Sequence, residues 1–111
     1  MDPHNINFSY IGCSKDVLEA REASFNEDIF YKEIKKLFET AIKVNSVNVE
    51  IKDQESQKTE KFIATVIVHS PDGGFESTER GSDAAKVTRD AIKSAITKIH
   101  NLKEKKTNHH K

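Results

Sequence analysis

Lys86, Arg89, Lys93 and His100 recur at spacings of three, four and seven in the last third of the chain. On a helix those spacings put the side chains in one line. A line of cations is chemistry suited to a phosphate backbone. It would hold a nucleic acid in place without reading its bases. Lys98 and Lys105 fall on the opposite flank of the same stretch, and Lys103, Lys105 and Lys106 thicken its end. A second basic group, Lys32, Lys35 and Lys36 with Lys43, lies earlier in the chain. If both stretches are helices on one sheet face, the two groups become neighbours and frame a groove for phosphate. Taken one at a time, each Lys is better explained as a solvated helix surface; only together do they point to phosphate.

Other reactive side chains carry less. Cys13 is the sole cysteine, so it has no disulfide partner within the chain, and no motif ties a His or Asp to it as a nucleophile's base. His100, His109 and His110 lack the fixed four-ligand set that structural zinc needs. Asp72-Gly73-Gly74 has no following Lys-Ser/Thr and is no phosphate loop. The carboxylates read as solvated faces. These features predict no enzyme, no cofactor, no metal and no small-molecule substrate.

With 111 residues the chain predicts one domain, over residues 1–106, with a disordered tail at 107–111. There is no apolar run long enough to span a bilayer, and Met1-Asp2-Pro3-His4 does not resemble a signal peptide, so the expected location is the cytoplasm. Basic and acidic residues balance at 18 each. The distribution is uneven: Lys and Arg dominate after Asp83, whereas Glu19, Glu22, Glu27, Asp28 and Glu33 crowd an earlier segment.

These side chains need elements to position them. Ile6, Phe8 and Tyr10 alternate with Asn5, Asn7 and Ser9, predicting a half-buried strand ended by Gly12. Residues 13–25 read as a loop with a turn or two of helix. A helix follows to about Ile42, started by Ser24 through a capping-box spacing to Glu27 or by Asn26. Its buried stripe is Phe30, Ile34, Leu37 and Ala41. Val47, Val49 and Ile51 mark a second strand, and Gln54 to Glu60 a polar turn. Phe62 to His69 is apolar on both faces, as a central strand would be. Pro71-Asp72-Gly73-Gly74 predicts a tight turn into a polar fourth strand, Phe75 to Arg80. A long helix from about Ser82 to Lys106 closes the chain, with Ser82 as N-cap. Ala85, Thr88, Ile92, Ala95, Ile96 and Ile99 form its core-facing arc, edged by Ala84, Ala91 and Leu102. The expected fold is α+β, in the order β-α-β-β-β-α: a four-stranded mixed sheet with two helices on one face. The crossover through the first helix is right-handed, and strands two to four form a meander.

Three segments carry a family resemblance. They are Val44 to Lys52, Ala64 to Gly74 with its Gly-Gly hairpin, and Glu79-Arg-Gly-Ser-Asp-Ala-Ala-Lys86 with the Ile/Ala helix and Lys-Glu-Lys-Lys end that follow. In element order and in these segments the chain resembles the ribosome hibernation-promoting and ribosome-associated inhibitor (protein Y) family, in its short form. Ile11-Gly12 and Lys36-Leu37 fit the same pattern, while the stretch from Gly12 to Lys36 is several residues longer than the family's. The resemblance implies a fold related to double-stranded-RNA-binding domains. It also implies a partner, the small ribosomal subunit and its RNA, with translation blocked and idle ribosomes stabilised. It implies a basic two-helix surface, to which Lys36, Lys103 and Lys105 correspond; Lys86, Arg89, Lys93 and Lys98 join them from helical spacing. The long form's extra domain is absent from this sequence, so the expectation is a monomer off the ribosome. Two other readings compete. One is a generic double-stranded-RNA-binding module, which would want a basic start to the last helix where Ser82-Asp83 stands. The other is a protein-interaction module using the acidic segment 16–33.

Overall fold

A computed structural model describes residues 5–40, 42–54, 59–71 and 73–108, with side chains described as far as Leu102. The chain runs β1 (Ile6–Ile11), α1 (Lys15–Arg21), α2 (Glu27–Phe38), β2 (Ser46–Asp53), β3 (Phe62–His69), β4 (Phe75–Gly81) and α3 (Ala84–Asn108). The sheet is ordered β1-β2-β3-β4. β1 lies parallel to β2, and β2, β3 and β4 are antiparallel neighbours. This is the expected α+β mixed sheet; the turn or two of helix expected within residues 13–25 is a third helix, α1.

Alternation decides which sheet face is covered. Val47, Val49 and Ile51 of β2 and Phe62, Ala64, Val66 and Val68 of β3 are buried, whereas Ile63, Thr65 and Ile67 on the other face of β3 are only half-buried. The helices meet the first set. Phe30, Ile34 and Leu37 of α2 and Ala84, Ala85, Val87, Thr88, Ala91, Ile92, Ala95 and Ile99 of α3 are buried. α3 packs on β3, β4 and α2. Each large aliphatic side chain so buried contributes about 1.5–3 kcal/mol from water exclusion. At the β1 end, Phe25 bridges Tyr10 and Phe30, the second pair meeting edge-on at 5.1 Å.

Several boundaries differ from those the sequence predicts. α2 begins at Asn26, whose Oδ1 accepts from Asp28 N–H at 2.9 Å and from Ile29 N–H at 3.4 Å. It stops at Phe38, and the Thr40 hydroxyl, its single proton shared between the carbonyls of Leu37 and Ile42, bridges the turn that follows. Ile42 then enters the core from outside the helix; Ala41 lies outside the described residues. α3 is capped by Asp83 instead of Ser82, and no Gly or Pro stops it before Asn108, so the expected tail at 107–111 begins as helix; residues 109–111 lie outside the described part. Its buried arc is rotated toward Ala84 and Ala91, which are fully buried, while Ile96 is half-buried. Val87 joins the arc where Gly81 leaves room: a Cβ at Gly81 would stand 2.8 Å from Val87 Cγ2. Leu102, expected at the arc's edge, is 41% exposed.

The β3–β4 hairpin depends on backbone closeness. Gly73 has φ +104°, and a Cβ on Gly74 would sit 2.6 Å from the Val68 carbonyl oxygen. Backbone cannot yield as a side chain can. Replacing Gly74 with Ala is expected to lower unfolding free energy by about 1–3 kcal/mol, measured by urea denaturation against the parent chain; a loss within error would show that the turn relaxes freely.

Candidate nucleic-acid interface

The basic groups fall where helix geometry dictates. Lys32 and Lys36 flank the fully buried Ile34 at two residues on either side, roughly 200° round the helix. Both are exposed on the solvent side of α2, and Lys35 is half-buried. On α3, Lys86 and Lys93 stand two residues before the fully buried Thr88 and Ala95, and Arg89 lies between them. All three are exposed. Because α2 packs beside α3, Lys32, Lys36, Lys86, Arg89 and Lys93 share the outer surface of one helical layer. Lys98 does not. Its Nζ donates to the backbone carbonyl of Glu76 at 2.6 Å, and Ser94, one turn earlier, donates to Glu79 Oε2 at 3.3 Å. That flank of α3 leans over β4, away from α2. The helix continues through Lys103 and Lys105, whose side chains lie outside the described part.

The outer surface is mixed in charge. Lys36 pairs with Glu33 at 3.0 Å and Lys86 with Asp90 at 3.1 Å, each within its own helix. Both pairs are exposed, at 58%/38% and 71%/39% of side-chain surface. Such pairs are worth about 0–1 kcal/mol and are screened by salt, so a phosphate oxygen can displace the carboxylate at little cost. Arg89 acts at longer range, helping to hold the Asp83 carboxyl low.

The largest departure from the sequence reading is at the start of α3. Glu22, just after α1, spans its first turn: Oε2 accepts from Ala84 N–H at 3.1 Å and Oε1 from Ala85 N–H at 2.9 Å. Asp83 Oδ1 accepts from Lys86 N–H at 3.0 Å. A helix N-terminus attracts anions because its first N–H groups have no partner within the helix. Here two carboxylates already fill that role. The acidic segment therefore includes a cap that fastens α1 to α3, a use that residue types alone did not reveal. Only the lone acid at the predicted helix start hinted at it. Leu18 of α1 is fully buried, giving the same segment an apolar anchor. Ser14 caps α1, and Glu19 Oε2 accepts from Glu27 N–H at 3.4 Å. Tyr10 donates its phenolic proton to Glu27 at 2.7 Å; burial, aided by that carboxylate, drives the phenol well above its ordinary range. Cys13 lies half-buried with its thiol directed at the Ile51 carbonyl, 3.5 Å away, and burial pushes that thiol up.

Among known proteins, no family model matches this chain, and no curated protein matches it. Among the described residues, no helix is long and apolar enough to cross a membrane.

The two carboxylates are shifted in opposite directions. Burial first, with Asp83 adjacent, holds Glu22 above its ordinary range, while the N–H groups of Ala85 and Ala84 pull it down. The Lys86 N–H, then Glu22, holds Asp83 below its own. A raised acid favours the folded state below its unfolded pKa and loses that contribution as pH rises through the folded value; a depressed acid loses its contribution as pH falls. Replacing Glu22 with Ala should cost about 1 kcal/mol of stability as a lost cap. Against the neutral isostere Glu22→Gln, the parent chain should be relatively more stable at about pH 5 than at about pH 7. Urea titrations of both chains at the two pH values measure this, and a difference unchanged between them would remove the carboxylate pair from the pH response.

Proposed function

We propose that this chain is a non-enzymatic RNA-binding factor that docks on the small ribosomal subunit, where it occludes translation and stabilises idle ribosomes in the cytoplasm. One observation carries the reading: Lys32 and Lys36 of α2 and Lys86, Arg89 and Lys93 of α3 share the outer surface of a single helical layer. The family resemblance of Val44–Lys52, Ala64–Gly74 and Glu79–Lys86 supplies the ribosome as the RNA in question. The element order it implies agrees with the observed β-α-β-β-β-α frame, to which α1 is added.

Binding of this kind acts through phosphate, so its affinity is salt-dependent. With about five phosphate contacts, affinity should fall by roughly two to three orders of magnitude between 50 and 200 mM salt. The capped start of α3 weighs against a generic double-stranded-RNA-binding module. Such a module would present the first turn of that helix to phosphate, but Glu22 and Asp83 hold the N–H groups there. Co-sedimentation with purified small ribosomal subunits over a salt series tests the proposal, with a plain RNA duplex as the competing ligand. The triple variant Lys86→Glu, Arg89→Glu, Lys93→Glu should abolish pelleting with the subunit while retaining the parent's circular dichroism. Full binding by the triple variant, or equal affinity for the plain duplex, would overturn the assignment.

A further inference from the structure

β4 is an edge strand, and its exposed residues are complementary to themselves. Backbone direction can be read from its neighbours. The carbonyls of Lys61 and His69 accept from Gln54 and Asn45 N–H on the β2 side. Since strand residues alternate, the odd-numbered positions of β3 serve β2 and the even-numbered ones serve β4. The register Val66↔Ser77 and Ala64↔Glu79 then turns the odd residues of β4 inward. Glu76, Thr78 and Arg80 turn their N–H and C=O groups outward. The bond from Lys98 Nζ to the Glu76 carbonyl agrees, since it reaches that oxygen from outside the ladder. The same three side chains are exposed on the uncovered face of the sheet.

We propose that β4 is a self-association surface, on which two copies of this chain pair their β4 strands antiparallel about a two-fold axis at Thr78, joining two four-stranded sheets into one of eight. In that register Thr78 faces its own copy, Glu76 faces the second copy's Arg80, and Arg80 faces its Glu76. All three are the residues whose backbone groups point outward, so each pair exchanges two backbone hydrogen bonds. Each copy contributes one acid and one base to two cross-strand ion pairs, the arrangement that stabilises such pairs. Phase is fixed as well: a shift of register by two sets Arg80 against Thr78, and a shift by four sets it against itself. Phe75 would face the second copy's Gly81, which brings no side chain against the ring. Beside Phe75, a largely apolar groove of about 370 Å³ lined by Phe75, Lys98, Asn101 and Leu102 lies at the end of this edge, and Leu102 is among the exposed large hydrophobic residues. The other edge strand, β1, has no such complement, since Asn5, Asn7, Ser9 and Ile11 on its uncovered face carry no charge. Lys98 now holds the Glu76 carbonyl; on pairing, the second copy's Arg80 N–H takes that oxygen and the ammonium swings aside. The pairing lies at the sheet edge, apart from the outer helical surface, and does not depend on the ribosomal reading.

Sedimentation equilibrium of the full chain over a concentration series, with and without charge changes, tests the pairing. The parent chain should show a monomer–dimer equilibrium. Glu76→Arg and Arg80→Glu, each creating like-charge pairs across the axis, should each weaken association by about tenfold or more. The double variant Glu76→Arg, Arg80→Glu restores opposite charges in the same register and should return the dimer. Circular dichroism of each variant confirms folding, and both positions are exposed. A parent chain that stays monomeric throughout, single variants that associate as well as the parent, or a double variant that fails to recover would each overturn the proposal.

Discussion

The fold turns on how closely α3 can approach the sheet. Four of its core-facing residues, Ala84, Ala85, Ala91 and Ala95, are alanines with no exposed surface. Small residues let a helix axis come near a strand, and Val87 is admitted where Gly81 lacks a side chain. Larger groups, Ile92 and Ile99, are buried on the same face. Once this face is pressed down, the rest of α3 follows by rotation: Lys86, Arg89 and Lys93 must point to solvent, and Ser94 and Lys98 must lean on β4. The cationic surface is thus a consequence of the packing and has no scaffold of its own.

The same closeness explains the segment between β1 and α2. A 25-residue helix fixed on a sheet presents a polar first turn beside the core, and its N–H groups need partners. Glu22 and Asp83 provide them. Leu18 adds burial, and Glu19 ties α1 to the start of α2. α1 has only seven residues and would not persist alone. It holds because both of its ends are engaged, Ser14 capping one and Glu22 bridging from the other to α3.

Strands and long helices were legible because their periods are. Alternation in Ile6–Ile11, the unbroken apolar run of Phe62–His69 and the stripe Phe30, Ile34, Leu37 gave the strands and all of α2 but its end. What escaped were contacts between residues far apart in the chain. α1 carries only one fully buried apolar residue, Leu18, too little to show as a stripe, and its stabilising partner is 62 residues away. The end of α2 escaped because the turn after it, bridged by a Thr hydroxyl, is invisible to periodicity. Within the candidate interface, the line Lys86, Arg89, Lys93 was legible from spacing, since neighbours on one helix face need no tertiary knowledge. The carboxylates Glu33 and Asp90 stand at helical spacing too, yet a sequence ranked by cations overlooks the acids between them.

Lys98 separates two roles that a helical wheel treats as one. It lies nine residues from Arg89, half a turn out of phase, so the two cations serve different neighbours. Arg89 faces outward, where water and salt weaken its field over a Debye length of about 10 Å. Lys98 is held at 2.6 Å on a strand carbonyl that belongs to no ladder within the chain. A lysine in that position shields an open edge, a device that keeps strands from pairing indiscriminately. Shielding is selective when the partner brings its own donor in register and a like ammonium is not forced against it. A chain of zero net charge can therefore keep two distinct electrostatic surfaces: one broad and salt-sensitive on the helices, one short and register-dependent on β4. Their separation rests on the half-turn between two side chains of a single helix.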